Sequence, residues 1–195
     1  MKKMQYIVFI LLVIVIMATA CSEKKLEANT DTVFIEGKNN IIGALVETFD
    51  KPYYNGDELQ RFIESELALY NSEIDSTGII VNKFEVTDEA AKVFLQYASQ
   101  TDYAKFNEVE FFVGTVEEAL EAGYDFNEDF VNYTKLTKVS KEDVTEKKKN
   151  KVLITDEDTL AQVNGTIVYI SDNVKEKSKK SAQLTGENLS YIIYK

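Results

Sequence analysis

Residues 84–97 read Phe-Glu-Val-Thr-Asp-Glu-Ala-Ala-Lys-Val-Phe-Leu-Gln-Tyr. A two-residue turn at Asp88-Glu89 sets Val86 against Ala91 and Phe84 against Val93 on one side. Glu85 then faces Lys92 on the other. Apolar pairs inside and opposite charges outside make this register self-consistent, because a slip of one residue would turn every apolar side chain to water. Asp-Glu is not a favoured pair for a tight hairpin turn, which is the weak point of the reading. The two strands extend over 78–87 (GIIVNKFEVT) and 90–99 (AAKVFLQYAS).

Upstream, residues 57–71 (DELQRFIESELALYN) place Leu59, Phe62, Ile63, Leu67 and Tyr70 on one helical stripe. Asn55 can cap this helix, and Glu58 three residues later gives a capping-box pattern. An amphipathic helix beside an antiparallel hairpin points to an α+β fold, the helix packed on the sheet. Residues 32–36 read as a strand, 37–40 as a turn, and 41–49 as either strand or short helix. Residues 50–56 form a loop around Pro52, the only proline, with Tyr53 and Tyr54 exposed.

Downstream, residues 101–106 read as a helical turn that Asn107 ends, and 109–113 as a strand. Thr115 and Glu118 box the start of a helix over 116–122, with Val116, Ala119 and Leu120 inward and Gly123 at its end. Tyr124, Phe126, Phe130 and Tyr133 close over the core and lead into a strand around 130–139. Residues 140–150 (SKEDVTEKKKN) are dense in charge and read as a long loop. Beyond it, 151–154, 166–171, 182–185 and 189–194 read as strands. That gives a β-rich C-terminal part, either a small sheet of its own or strands completing the first. The α+β domain is thus expected over 31–139, a charged loop over 140–150 and the β-rich part over 151–195.

The first 21 residues are of another kind: MKKMQYIVFILLVIVIMATAC. Lys2 and Lys3 precede an apolar run from 6 to 17; the small residues Ala18, Thr19 and Ala20 precede Cys21, the only cysteine. This layout resembles the signal of bacterial lipoproteins. The resemblance implies that residues 1–20 are a signal peptide. It also implies that the Cys21 thiol receives a diacylglyceryl group and that cleavage makes Cys21 the first residue. Ala18 stands where that family usually has a larger aliphatic residue. An uncleaved membrane span is the other reading, but 6–20 is shorter than the roughly 20 apolar residues a span needs. Either reading puts 22–195 outside the cytoplasm. Residues 21–30 then form the lipidated cysteine and a flexible tether.

Net charge is −11. It is uneven: 22–137 holds 24 acids and 9 bases, whereas 138–195 holds 11 bases and 9 acids. An acidic body disfavours nucleic acid as a partner. There is no histidine and no tryptophan, and no cysteine but Cys21. That removes Ser-His-Asp and Cys-His catalysis and His/Cys sites for zinc, copper and haem. Carboxylate pairs of the glycosidase kind and carboxylate-held calcium remain open.

The candidate sites are weak. Asp125-Phe-Asn-Glu-Asp129 begins like a calcium loop, but Phe130 stands where the loop needs glycine and Leu136 where it needs glutamate, so a solvated acidic turn is the better reading. Asp156-Glu157-Asp158 reads as the start of a helical turn through Leu160, and Glu117, Glu118 and Glu121 likewise suit a helix start. Lys147, Lys148, Lys149 and Lys151, and Lys175, Lys177, Lys179 and Lys180, are two basic runs, read as solvated loops that could touch anionic lipid or wall polymer. Tyr53, Tyr54, Tyr97, Tyr103, Tyr124 and Tyr133 include any carbohydrate or peptide platform, most of them being core. No catalytic, cofactor-binding or metal residue is assigned; the one assigned site is lipidation at Cys21.

The segments DELQRFIESELALYN, FEVTDEAAKVFLQY, DYAKFN with GTVEEALEAGYDF, and the terminal YIIYK together resemble uncharacterised lipoproteins of clostridia-like bacteria. The resemblance spans most of the mature chain and carries no activity with it. The expectation is a lipid-anchored extracytoplasmic lipoprotein on the cell membrane. Its role is expected to be that of a non-enzymatic binding or interaction module for an envelope protein or wall polymer. The alternatives are a cell-wall glycan hydrolase using paired Asp/Glu, or a structural accessory of a membrane complex that docks through its basic tail.

Overall fold

The computed structural model describes residues 26–74 and 77–195; the signal segment and Cys21 lie outside the described residues. In the first half the chain runs β1 (Thr32–Gly37), β2 (Asn40–Thr48), α1 (Gly56–Glu73), β3 (Ile79–Val86), β4 (Ala90–Tyr97), α2 (Gln100–Asn107), β5 (Phe111–Thr115) and α3 (Val116–Glu121). It continues with β6 (Phe130–Asn132), β7 (Lys138–Val139), α4 (Lys141–Thr145), β8 (Lys151–Thr155), β9 (Leu160–Val163), β10 (Ile167–Ser171), β11 (Lys175–Ser178), β12 (Ser181–Gln183) and β13 (Ser190–Tyr194). The fold is α+β with a β-rich C-terminal part.

The hairpin forms in the expected register: Phe84 pairs Val93, Glu85 pairs Lys92 and Val86 pairs Ala91. Its unfavoured Asp-Glu turn is held by Thr87, whose N–H donates to the Ala90 carbonyl at 2.9 Å and whose hydroxyl accepts from the Ala90 N–H at 3.1 Å. Both charged residues of the Glu85–Lys92 pair also make other contacts. Lys83 reaches along its own strand to Glu85 at 2.8 Å, and Lys92 donates to the Ala28 carbonyl at 2.6 Å.

The seven-stranded sheet has the order β11-β12-β9-β1-β2-β4-β3, and the six-stranded sheet β5-β8-β13-β10-β6-β7. Strands after residue 150 are shared between them. β9 lies parallel to β1, so that Val33 meets Ala161 and Ile35 meets Val163. β8, β13 and β10 form the middle of the second sheet. Of the two arrangements open for 151–195, these strands therefore complete sheets that earlier strands begin.

The sheets pack face to face, with Val33, Ile35, Ile41 and Leu95 of one and Val113, Leu153, Ile192 and Tyr194 of the other in a single cluster. Period-2 alternation supplies both faces: the intervening Val152, Ile154, Tyr191 and Ile193 point outward, where α3, α4, Phe126 and Phe130 cover them. Helix α1 lies against β3. Asn71 pins it there by mimicking a strand, donating to the Ile79 carbonyl at 2.8 Å and accepting its N–H at 3.0 Å. Leu67 is buried and Ile63 and Tyr70 pack beside it, but Phe62, expected on the stripe, is 61% exposed. Gly165 is needed where the chain turns into β10, since a Cβ there would stand 1.9 Å from the Lys195 carbonyl oxygen.

Several expectations are corrected. Residues 26–28, expected within a flexible segment, are packed: Ala28 is 4% exposed and lies with Leu26 on Phe34, Ile42, Ala44 and Phe94, the outer face of the seven-stranded sheet. The charged loop 140–150 contains α4, because Ser140 and Asp143 form a capping box and Val144 is buried. The strand expected over 130–139 is two short strands joined by a turn in which Leu136 takes φ 52°. Residues 156–159 are not helical. β9 and β11 are additional strands.

Candidate functional site

The chain leaves β2 at Thr48, whose partner is Ala90 at the mouth of the hairpin. Phe49 then donates its N–H to the Glu89 carbonyl at 2.9 Å, tying the Pro52 loop to the hairpin turn. Tyr54 closes the loop by donating to the Lys51 carbonyl at 3.1 Å. Asn55 caps α1, its side chain accepting the N–H groups of Asp57 at 2.9 Å and Glu58 at 3.2 Å. Gly56 brings the helix start against Val86. Loop, hairpin end and helix start thereby enclose an open groove of about 490 Å³, with Phe49, Asp50, Tyr54, Val86 and Asp88 in its walls.

Aromatic rings dominate one side. Phe49 and Tyr54 have centroids 4.9 Å apart, and Tyr53 meets Tyr54 edge-on at 5.1 Å. Tyr53 is 75% exposed and Tyr54 43%. Among the described residues neither hydroxyl has a hydrogen-bond partner. Rings held in water without a polar tether are the kind of surface that recognition uses.

The other candidate tyrosines belong to the core. Tyr97 and Tyr103 are 2% and 3% exposed, with rings 4.7 Å apart. The Tyr103 hydroxyl donates to Glu157 at 2.7 Å, and Asn107 donates to the Tyr97 hydroxyl at 3.3 Å. Burial pushes both phenols far above their ordinary range. Tyr133 bridges the Ser178 and Ser181 carbonyls at 2.8 and 2.7 Å, and Tyr124 bonds Glu110.

The acidic clusters disperse. Asp156 accepts the Glu110 N–H at 2.9 Å, Glu157 takes Tyr103, and Asp158 accepts from Gln183 at 3.3 Å, so three neighbouring carboxylates serve three different partners. Burial raises the Glu157 carboxyl above the usual range; the Tyr103 hydrogen bond opposes this, and the charges of Asp31 and Asp156 add to it. In 125–129, Asp125 accepts from Asn127, Lys138 pairs with Asp129 at 3.2 Å, and Phe126 is buried at φ 52° between Phe130 and Tyr191. This is an acidic turn locked by its aromatic residue. Glu118 completes the α3 capping box, and Glu117 pairs with Lys148 at 3.3 Å. Among the described residues no group of three or more His, Cys, Asp or Glu side chains is arranged to hold a metal ion.

The basic runs lie apart, one following α4 and the other on and after β11. Lys147 and Lys195 border a cleft of about 200 Å³ with Asn132, Thr134 and Tyr169. Among the described residues no helix is long and apolar enough to cross a membrane.

Comparison with protein-family models, with curated proteins and with solved structures returns no match. The site therefore stands on its own geometry. Sequence reading found Tyr53 and Tyr54 but missed Phe49, Val86 and Asp88 as their companions. The missing signal is the pairing of Thr48 with Ala90, which is long-range.

Proposed function

We propose that this chain is a lipid-anchored extracytoplasmic binding module, held at the cell membrane by a diacylglyceryl group on Cys21. Its ligand seat is the aromatic groove beside the hairpin. One observation carries the binding role: Tyr54 lines a groove with its ring half in water and exposed Tyr53 packed edge-on against it, while the buried tyrosines Tyr97 and Tyr103 are fully engaged. The anchor sets the working distance. Leu26 packs on the outer face of the seven-stranded sheet, five residues after Cys21. Five extended residues reach at most about 17 Å, so the point where Leu26 meets the sheet stays within about that distance of Cys21.

Two measurements test the reading. Cys21→Ser should abolish incorporation of labelled palmitate; unchanged labelling overturns the anchor. A photocrosslinking residue at position 53 in intact cells should capture a defined envelope component, and the capture should fall on Tyr54→Ser. Crosslinking no different from that of a probe at exposed Glu64 overturns the seat.

A second reading has one observation in its favour: Asp50 and Asp88 line the same groove, as a glycosidase pair would. Both are exposed, whereas a general acid of that class is kept protonated by its surroundings. Hydrolysis of purified wall glycan, lost on Asp88→Asn, would favour it; no hydrolysis ends it.

A further inference from the structure

We infer that the groove takes a cationic, extended polypeptide segment, with a lysine or arginine side chain against the Tyr54 ring, beside Tyr53 at the rim, and its charge facing Asp88. This rests on the reading of the groove as the binding seat and adds the chemistry of the ligand.

Charge is the first argument. The groove's walls hold Asp50, Asp88 and Lys51, and Asp57, Glu58 and Glu89 adjoin them in sequence. The Lys51 ammonium lies 3.0 Å from Asp50, so these two charges offset each other and the surplus is Asp88 with the adjoining Asp57, Glu58 and Glu89. A phosphate, a nucleic acid or an acidic wall polymer would meet repulsion here.

The rings point the same way. The face of an aromatic ring is negative, so Tyr53 and Tyr54 attract a cation through the same field that the carboxylates supply. A neutral sugar could stack on the rings and donate hydroxyls to the carboxylates, but only a cation gains from their net charge. The groove is open rather than caged, and Phe49 and Val86 give it apolar walls. A chain can pass along such a groove, laying the methylene stem of a lysine or arginine on the apolar wall and its head at the rim.

The experiment uses the full-length protein in micelles of a neutral detergent, titrated calorimetrically with a blocked peptide of alternating lysine and glycine. Alternating glutamate and glycine, and an oligomer of N-acetylglucosamine, are the comparison ligands. The basic peptide should bind, more weakly as salt is added. Tyr53→Ser with Tyr54→Ser should weaken it about tenfold, as loss of the ring–cation contact implies, and Asp88→Asn by a similar factor. Glu64→Gln with Glu66→Gln, on exposed α1 positions, should leave it unchanged. Equal binding by the tyrosine variant would show attraction to bulk acidity alone and overturn the inference. So would tighter binding of the sugar or the acidic peptide. If position 53 crosslinks specifically in cells while the basic peptide fails to bind, the cationic assignment falls and the seat stands. If neither occurs, both fall.

Discussion

Tyr103 and Tyr53 put the same side chain to opposite uses. Tyr103 is buried, edge-on to Tyr97, tilted against Phe111 and bonded to Glu157, so its ring is packing and its hydroxyl is an anchor point. Tyr53 touches one neighbouring ring and is three-quarters exposed. The first belongs to the interior, where removal of a side chain is felt as lost packing. The second belongs to the surface. If this contrast is right, substitutions in the two regions should separate cleanly between unfolding and binding.

The largest effect belongs to the interior. Tyr97→Ala removes a ring that touches Tyr103 and Phe106, at the junction of β4 and α2. It should cost about 3–5 kcal/mol in urea unfolding, as large-to-small changes at buried aromatic positions do. A loss below about 1 kcal/mol would mean that the inner tyrosines are less packed than described, and the contrast would collapse.

Tyr103 and Glu157 refine the same side of the comparison. Tyr103→Phe keeps the ring and removes the donor to a half-buried carboxylate, which should cost about 1–3 kcal/mol. The loss should grow as that carboxylate ionises, since the phenol donates more strongly to a charged acceptor. Glu157→Gln tests the sign. Burial raises the folded-state carboxyl of Glu157. Its contribution to stability is then complete below the unfolded carboxylate range and is lost as pH rises through the folded value. Wild type measured against Glu157→Gln should therefore lose ground as pH is raised from acid to neutral. The opposite slope would show that the Tyr103 bond outweighs burial.

These inner contacts also mark how far sequence could be read. The hairpin was legible because its alternation tolerates one register, and the α1 cap because Asn55 stands at the right place. Phe62 was misplaced because it borders the apolar stripe, and only the partner surface decides which flank is covered. β11 (Lys175–Ser178) has no apolar residue and is a strand because β12 pairs with it. α4 hid among charges, although its Ser140–Asp143 box was readable. Of the groove, two tyrosines could be found locally. The rest is assembled by β2 meeting β4, a contact between residues some forty positions apart that no local pattern encodes.

A smaller effect is expected where the N-terminal segment crosses the outer sheet face. Lys92→Met removes the bond to the Ala28 carbonyl while keeping a stem over the sheet. It should cost about 1 kcal/mol and raise amide exchange in residues 26–30. Unchanged exchange there would mean that the packing of Ala28 alone holds the segment.

The smallest effect on stability is the one that decides what the surface is for. Tyr53→Ser with Tyr54→Ser removes two exposed rings and no hydrogen bond to either hydroxyl, so unfolding should shift by no more than about 0.5 kcal/mol. Ligand capture by the groove should fall in the same variant. A loss of several kcal/mol would show that the rings brace the loop against α1, making the groove a by-product of folding. A folded variant that no longer binds would show rings kept in water at no gain to the fold, which a ligand explains and packing does not.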